Sequence, residues 1–542
     1  MQDAQPSSQT PGAWGGRAAL AGGALAVCAI VVVVVIVPAL LVAMRIVEGV
    51  AREGIGVLAP LRLEPLAISV GFALGIGVLA TCLAWPVAWR VYDRAGRWLA
   101  LTLVPVFAPA YLAYAGYGLL RSPGTWLGDL VNSASARWTI LTDRSLAIVS
   151  LGLWAWPIAC LALCLALRRV HASVWEAQRL DPVSPMRRLA MRLGAVRAGL
   201  AASVVLVALV MLGSPTPLHL ANIPTYAVEL WAALAATGGD EQWRVFGASW
   251  PSVVVALASG VLVMGALRRW AARHVHVGDV EARPGRAWVA APLLALAVSV
   301  VLPGVLLARQ IETFAPVRRF VHLYDDAIVD SLRIAGMTCL GALAIGLGVS
   351  MLESAGRAWG ALARALAWVL LVSAFMPGIL VGDAILRAYG PVGWLRPIMD
   401  SAAIVSLGHL ARFGFVPALV ALWLGATSTR EAVAMQRLDG ADSPAGWLRA
   451  TLPVHLPLLA ASILAVGALS LHEIESTVML APAGTDSLSR SMLEFLHFAR
   501  RTELSIGTLI LLSGSLGLGV AILAFARRPQ SSANRIPTQS IP

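Results

Sequence analysis

The feature that most constrains this chain is a series of uninterrupted apolar stretches, each about 20 residues long, enough for a helix to cross a hydrocarbon core of roughly 30 Å. About twelve can be marked by that criterion. The first half carries Ala18–Met44, Leu66–Trp89, Trp98–Leu120, Leu146–Leu167, Ala198–Ser214 and Ala248–Leu267. The second carries Ala287–Leu307, Ile328–Leu352, Ala365–Leu386, Ala402–Leu424, Leu456–Leu480 and Leu504–Ala526. With 58% hydrophobic and 13% charged residues and a mean hydropathy of +0.78, a chain of 542 residues could not keep this much apolar surface from water. In lipid the backbone must satisfy its own hydrogen bonds, so the expected class is all-α, a polytopic membrane protein.

The first run follows Arg17 and no small-residue cleavage pattern closes it, so it reads as a retained helix rather than a signal peptide. The Ser-, Gln- and Pro-rich stretches 1–16 and 529–542 read as disordered tails.

The formal charge of +12 resides entirely on arginine, since no lysine occurs. If the N-terminus lies in the cytoplasm, Arg is concentrated on cytoplasmic segments, which is the positive-inside bias of a bacterial inner-membrane protein and not a nucleic-acid footprint. Both termini are then cytoplasmic. Without lysine there can be no Walker A phosphate loop and no Schiff-base chemistry, so no catalytic residue is expected and any ATP must be hydrolysed by another chain. The five cysteines (Cys28, Cys82, Cys160, Cys164, Cys339) all fall within apolar runs and imply neither disulfides nor a metal site. No cofactor is implied. Trp85, Trp89 and Trp98, and Trp126 and Trp138, read as interface anchors.

Gln178-Arg179-Leu180-Asp181 returns as Gln436-Arg437-Leu438-Asp439, 258 positions on, each time after a long apolar run and shortly before Ser-Pro. Ala95-Gly96-Arg97 returns as Ala355-Gly356-Arg357, while Pro109 and Trp126 correspond to Pro377 and Trp394. These recurrences predict two parallel six-helix repeats, 17–285 and 286–528, in the same orientation and unlike the inverted repeats of many secondary transporters. Both Gln-Arg-Leu-Asp loops would lie in the cytoplasm.

The second of these loops resembles the EAA motif of importer-type (type I) ABC transporter permeases. Gly440 fills the motif glycine and Leu452-Pro453 its closing Leu-Pro, with Glu431-Ala432 three residues ahead of the expected Glu-Ala. The first copy keeps Glu176-Ala177 and Asp181 but has Pro182 for the glycine and Gly194-Ala195 for Leu-Pro. The resemblance implies coupling loops (Glu176, Ala177, Asp181; Glu431, Ala432, Asp439, Gly440, Leu452, Pro453) on which two copies of an ATP-binding subunit act. It also implies a periplasmic or extracellular solute-binding protein and alternating access. The alternative for the loop is an amphipathic linker whose Arg187, Arg188 and Arg192 meet membrane lipid headgroups. The segment His472–Leu488, with Ser331-Leu332-Arg333-Ile334-Ala335, is similar to fused ferric iron permeases, which makes ferric iron the implied solute; thiamine, a polyamine or a phosphonate are the alternatives within the class.

Charge within the apolar runs marks functional positions. Asp330 with Arg333, and Asp383 with Arg387, are spaced as local ion pairs near helix ends. His409 and Arg412 share a face in the middle of the tenth run, where Arg412 requires a partner, and Glu473 or Glu475 of the eleventh run is the candidate. These four residues are expected to border the translocation pathway or lock its closed state. An ion-coupled secondary transporter is the rival from another class; a membrane-embedded enzyme would gather His, Asp or Glu, whereas the nine His are scattered.

Overall fold

The computed structural model describes residues 24–92, 102–122, 124–133, 135–170, 172–180, 183–237, 243–271, 290–441, 443–498 and 500–526. Among them every regular element is helical. Nine helices are long and apolar enough to cross a membrane, and two bent pairs raise that number to as many as eleven. The protein is an all-α polytopic membrane protein. Both tails, Arg17, Ala95-Gly96-Arg97, Trp98, Asp181 and Pro182 lie outside the described residues.

The expected spans number about twelve, and proline breaks two of those runs. The third run does not form one helix: Ala108 is extended (ψ 140°) ahead of Pro109, and a short helix Ala110–Gly118 starts beyond it. The ninth run breaks in the same way. Helix Arg357–Phe375 stops at Met376 (ψ 146°), and helix Gly378–Tyr389 begins after Pro377. The ring of proline drives its predecessor out of the helical region, which sets both breaks. The tenth run is bent by 43° between Ala402–Phe413 and Phe415–Thr427; Gly414 lies at the joint, and Pro417 withholds the N–H that Phe413 would receive. The eleventh run ends at Ser470 and resumes as the short helix Glu475–Leu480.

Several local devices occur twice. The first helix, Ala24–Glu53, and the seventh, Ala290–Ala308, each contain a π-helical turn, Val32–Ile36 and Ala297–Val301, placed just before Pro38 and Pro303. A wider turn relieves the clash between each proline ring and the carbonyl four residues back. In both turns a tyrosine from the opposite half of the chain caps a carbonyl: Tyr389 Oη donates to Val33 O, and Tyr117 Oη to Val298 O. Ser69 Oγ donates to Pro65 O and accepts from Tyr226 N at 2.7 Å, and Ser331 Oγ donates to Ala327 O and accepts from Leu488 N at 2.8 Å. Tyr226 and Leu488 open the helices Tyr226–Ala236 and Leu488–His497.

The apolar interior follows the same exchange. One core gathers Ile76, Leu151, Trp156 and Leu163 from the first half, with Ala291 and Ala295 of the seventh helix against it. A second gathers Ile345, Val349, Leu370 and Val405, and takes in Ala24, Val27, Val31 and Val34 of the first helix. Each half lends a helix to the other.

Candidate translocation gate and coupling loops

Four chain breaks converge on Arg412, which is only 7% exposed. It stands in the last turn of Ala402–Phe413, beside the bend, rather than mid-helix as the sequence suggested. Its Nη1 donates to Met376 O at 2.6 Å and to Gly213 O at 3.4 Å, carbonyls left free by the breaks at 376–377 and after helix Arg197–Leu212. Nη2 lies 3.3 Å from Glu475 Oε2, and Nε 3.7 Å from Glu473 Oε1. A guanidinium withdrawn from water needs this density of acceptors, because its desolvation outweighs any single contact.

The carboxylates are not on a continuous eleventh helix. Glu473 lies in the turn between Leu452–Ser470 and Glu475–Leu480, where its Oε1 accepts from Ser476 N at 3.0 Å and Ser476 Oγ at 3.1 Å. Glu475 Oε1 accepts from Ser214 Oγ (3.2 Å), Thr216 Oγ1 (3.2 Å) and Thr216 N (3.5 Å), and its Oε2 from Gly378 N (3.1 Å). Gly378 has no room for a side chain: a Cβ there would lie 2.7 Å from Glu475 Cβ and 2.9 Å from Glu473 Oε1. His409 is buried one turn from Arg412, with Nδ1 2.7 Å from Ser470 Oγ and Nε2 2.9 Å from Thr477 Oγ1. The structure thus brings all four pathway candidates together. It adds Ser214 and Thr216 of the first half, which only the fold could reveal. The pairs Asp330–Arg333 (3.0 Å) and Asp383–Arg387 (2.7 Å) are local, as their spacing suggested.

The knot is asymmetric. Ala147–Gly152 and Ala403–Gly408 are the same six residues, a recurrence beyond those that predicted the two repeats. Counting on from them, Leu153 and Trp156 stand where His409 and Arg412 do. Trp156 is fully buried and donates from Nε1 to Ser299 Oγ at 2.8 Å.

The coupling candidates occupy two helical loops. In the second loop Thr429 Oγ1 caps helix Arg430–Leu438 by accepting from Ala432 N, and Glu431 occupies its first turn, where the helix dipole favours an anion. The helix ends in a Schellman turn: Gly440 (φ 86°) N donates to Arg437 O and Ala441 N to Gln436 O, both at 2.9 Å. Ser443 then caps Pro444–Ala450, and Leu452-Pro453 starts the next membrane helix. Trp447 is buried, with Nε1 3.2 Å from Ser354 Oγ, which keys the loop to the end of helix Asp325–Ser354. In the first loop Glu176 and Ala177 stand on Ala172–Leu180, and Pro185–Ala195 turns through 66° into Arg197–Leu212. Trp89 is partly buried and does more than anchor an interface: it stacks edge-on against Trp175 (5.0 Å) and lies under the Arg192 guanidinium (4.5 Å). Leu180 and Leu438, the leucines of the two Gln-Arg-Leu-Asp copies, are 85% and 83% exposed. Trp126 and Trp394 are each 80% exposed.

Comparison with known proteins gives two curated relatives, the Molybdenum transport system permease proteins ModB of Mycobacterium bovis and of Mycobacterium tuberculosis. Each is 30% identical over 208 residues, covering 76% of the relative and 36% of this chain. The chain belongs to the permease family of ABC importers. Because one aligned stretch is 76% of the relative and 36% of this chain, each relative is about half as long as this permease. No family model and no solved structure matches the chain.

Proposed function

We propose that this permease is a fused pair of importer repeats, 17–285 and 286–528, that opens and closes a central path by alternating access. A separate ATPase drives it and a solute-binding protein supplies it. The matched proline breaks, π-helical turns, tyrosine caps and serine contacts support a parallel duplication, as does the length of the relatives. ATP hydrolysis belongs to the partner, and two ATPase copies are expected because there are two loops.

The observation that carries coupling is the pair of exposed leucines, Leu180 and Leu438, at equivalent places on the two loop helices. Exposed leucines at the same place on two loop helices are where a partner would make an apolar contact. Glu176, Ala177 and Asp181 in the first loop, and Glu431, Ala432, Asp439 and Gly440 in the second, form the lever on which ATPase closure acts, and Leu452-Pro453 passes the motion to the membrane helix. This reading places both loops and both termini in the cytoplasm of a bacterial inner-membrane protein.

His409, Arg412, Glu473 and Glu475 form the gate. Its bonds to Gly213, Ser214 and Thr216 cross between the two halves, so they must break for the path to open. Ferric iron is the solute implied by the resemblance of His472–Leu488. A molybdenum oxyanion is a second reading, favoured by the molybdenum transport role that the relatives' names give them. The deciding experiment is uptake into proteoliposomes holding the permease, its ATPase and its binding protein, with ferric iron, molybdate, thiamine and a polyamine in competition. Accumulation that continues without the ATPase would overturn the importer reading in favour of an ion-coupled carrier.

A further inference from the structure

Glu475 occupies a place built for an anion. Five donor contacts meet its carboxylate: Ser214 Oγ, Thr216 N and Thr216 Oγ1 on one oxygen, Gly378 N and Arg412 Nη2 on the other, at 3.1 to 3.5 Å. They come from three separate segments on both sides of the seam between the halves. Gly378 opens a helix of 12 residues, whose amino end carries partial positive charge. Half-helices broken inside a membrane present such ends to anionic solutes. Arg412 Nε, 3.7 Å from Glu473 Oε1 beside this place, is buried with no hydrogen-bond partner and adds a second pointer.

This donor set has a chemical preference. Two backbone N–H groups, two hydroxyls and a planar guanidinium suit the oxygens of a small oxyanion, whereas a bare cation would face converging hydrogens. Among the described residues no group of three or more His, Cys, Asp or Glu could hold a metal ion.

We propose that Glu475 is a resident stand-in for the cargo, filling in the closed gate a transit site that accepts a small inorganic oxyanion when the halves part. Arg412 and Gly378 then face the gap from one side, with Ser214 and Thr216 on the other, and the oxyanion takes the place of the carboxylate. The inference rests on the permease function proposed above and narrows its substrate class.

The test uses the complete transporter in proteoliposomes, offered molybdate, sulfate or phosphate against ferric iron and thiamine. At least one oxyanion should accumulate with ATP, and R412Q should slow that uptake at least about tenfold, the loss expected for a charge-assisted contact. The isosteric E475Q should open an ATP-independent leak of the same oxyanion and of none of the cations. If R412Q does not reach the membrane, the double variant S214A/T216V carries the test, and unchanged oxyanion uptake in it would overturn the proposal. So would a tight E475Q transporter, a leak without selectivity, or accumulation of ferric iron or thiamine with every oxyanion excluded; in that last case the permease function stands. Absence of ATP-driven uptake of any solute would instead remove the permease function itself.

Discussion

Glycine decides the geometry at two positions here, for different physical reasons. At Gly440 the issue is the backbone: φ 86° is left-handed, and an L side chain there costs about 1–2 kcal/mol. Gly440→Ala should therefore leave the protein inserted and folded but weaken stimulation of ATP hydrolysis by cargo-loaded binding protein, measured as the ratio of stimulated to basal turnover. The first loop makes this comparison internally, because Pro182 stands at that place and a proline cannot adopt positive φ or supply the N–H of the Schellman turn. At Gly378 the issue is space. Gly378→Ala forces a methyl group between two carboxylates and should cost about 1–3 kcal/mol, lowering the thermal midpoint of the detergent-solubilised protein. The sequence announced Arg412 as a buried charge in need of a carboxylate. It could not announce Ser214, Thr216 or Gly378, which approach from far along the chain and whose residue types are ordinary for any loop or helix start.

Among the elements, the loop helices and the exchanged helices make distinct predictions. Leu180 and Leu438 are exposed, so L180E and L438E should not disturb the fold. Each should reduce co-purification with the ATPase and slow uptake by about tenfold, the effect of losing an apolar anchor at an interface. The two π-helical turns predict a stability effect instead. Y117F and Y389F each remove a hydroxyl that caps a carbonyl of the opposite half, at about 1 kcal/mol apiece. With the sites well separated, the double variant should show the sum of the two losses in thermal unfolding. Element lengths were legible where the run forms one continuous helix, as in Leu63–Val91 and Asp325–Ser354. Where Pro109, Pro377 or Gly414 interrupted a run, hydropathy averaged across the break and joined what the backbone separates.

For the whole molecule, the exchange of the first and seventh helices implies that the halves hold together without their connection. Expressed as two chains, 1–285 and 286–542, the halves should co-purify and regain ATP-driven uptake. Recovery of either half alone with native stability would contradict the exchange, since each core would then be missing a helix.

Composition and apolar run length by themselves determined the solvent and the class, because a hydrocarbon phase admits few architectures and each span must satisfy its own backbone. The recurrence of Gln-Arg-Leu-Asp pointed to both loops, whose helices Ala172–Leu180 and Arg430–Leu438 carry it up to the leucine. Only the tertiary structure decided where helices break together, which half donates to Glu475 and which helices change sides. Those outcomes depend on donors and acceptors about two hundred residues or more apart meeting in a low-dielectric interior, where an unpaired charge is too costly to leave and no local pattern records its partner.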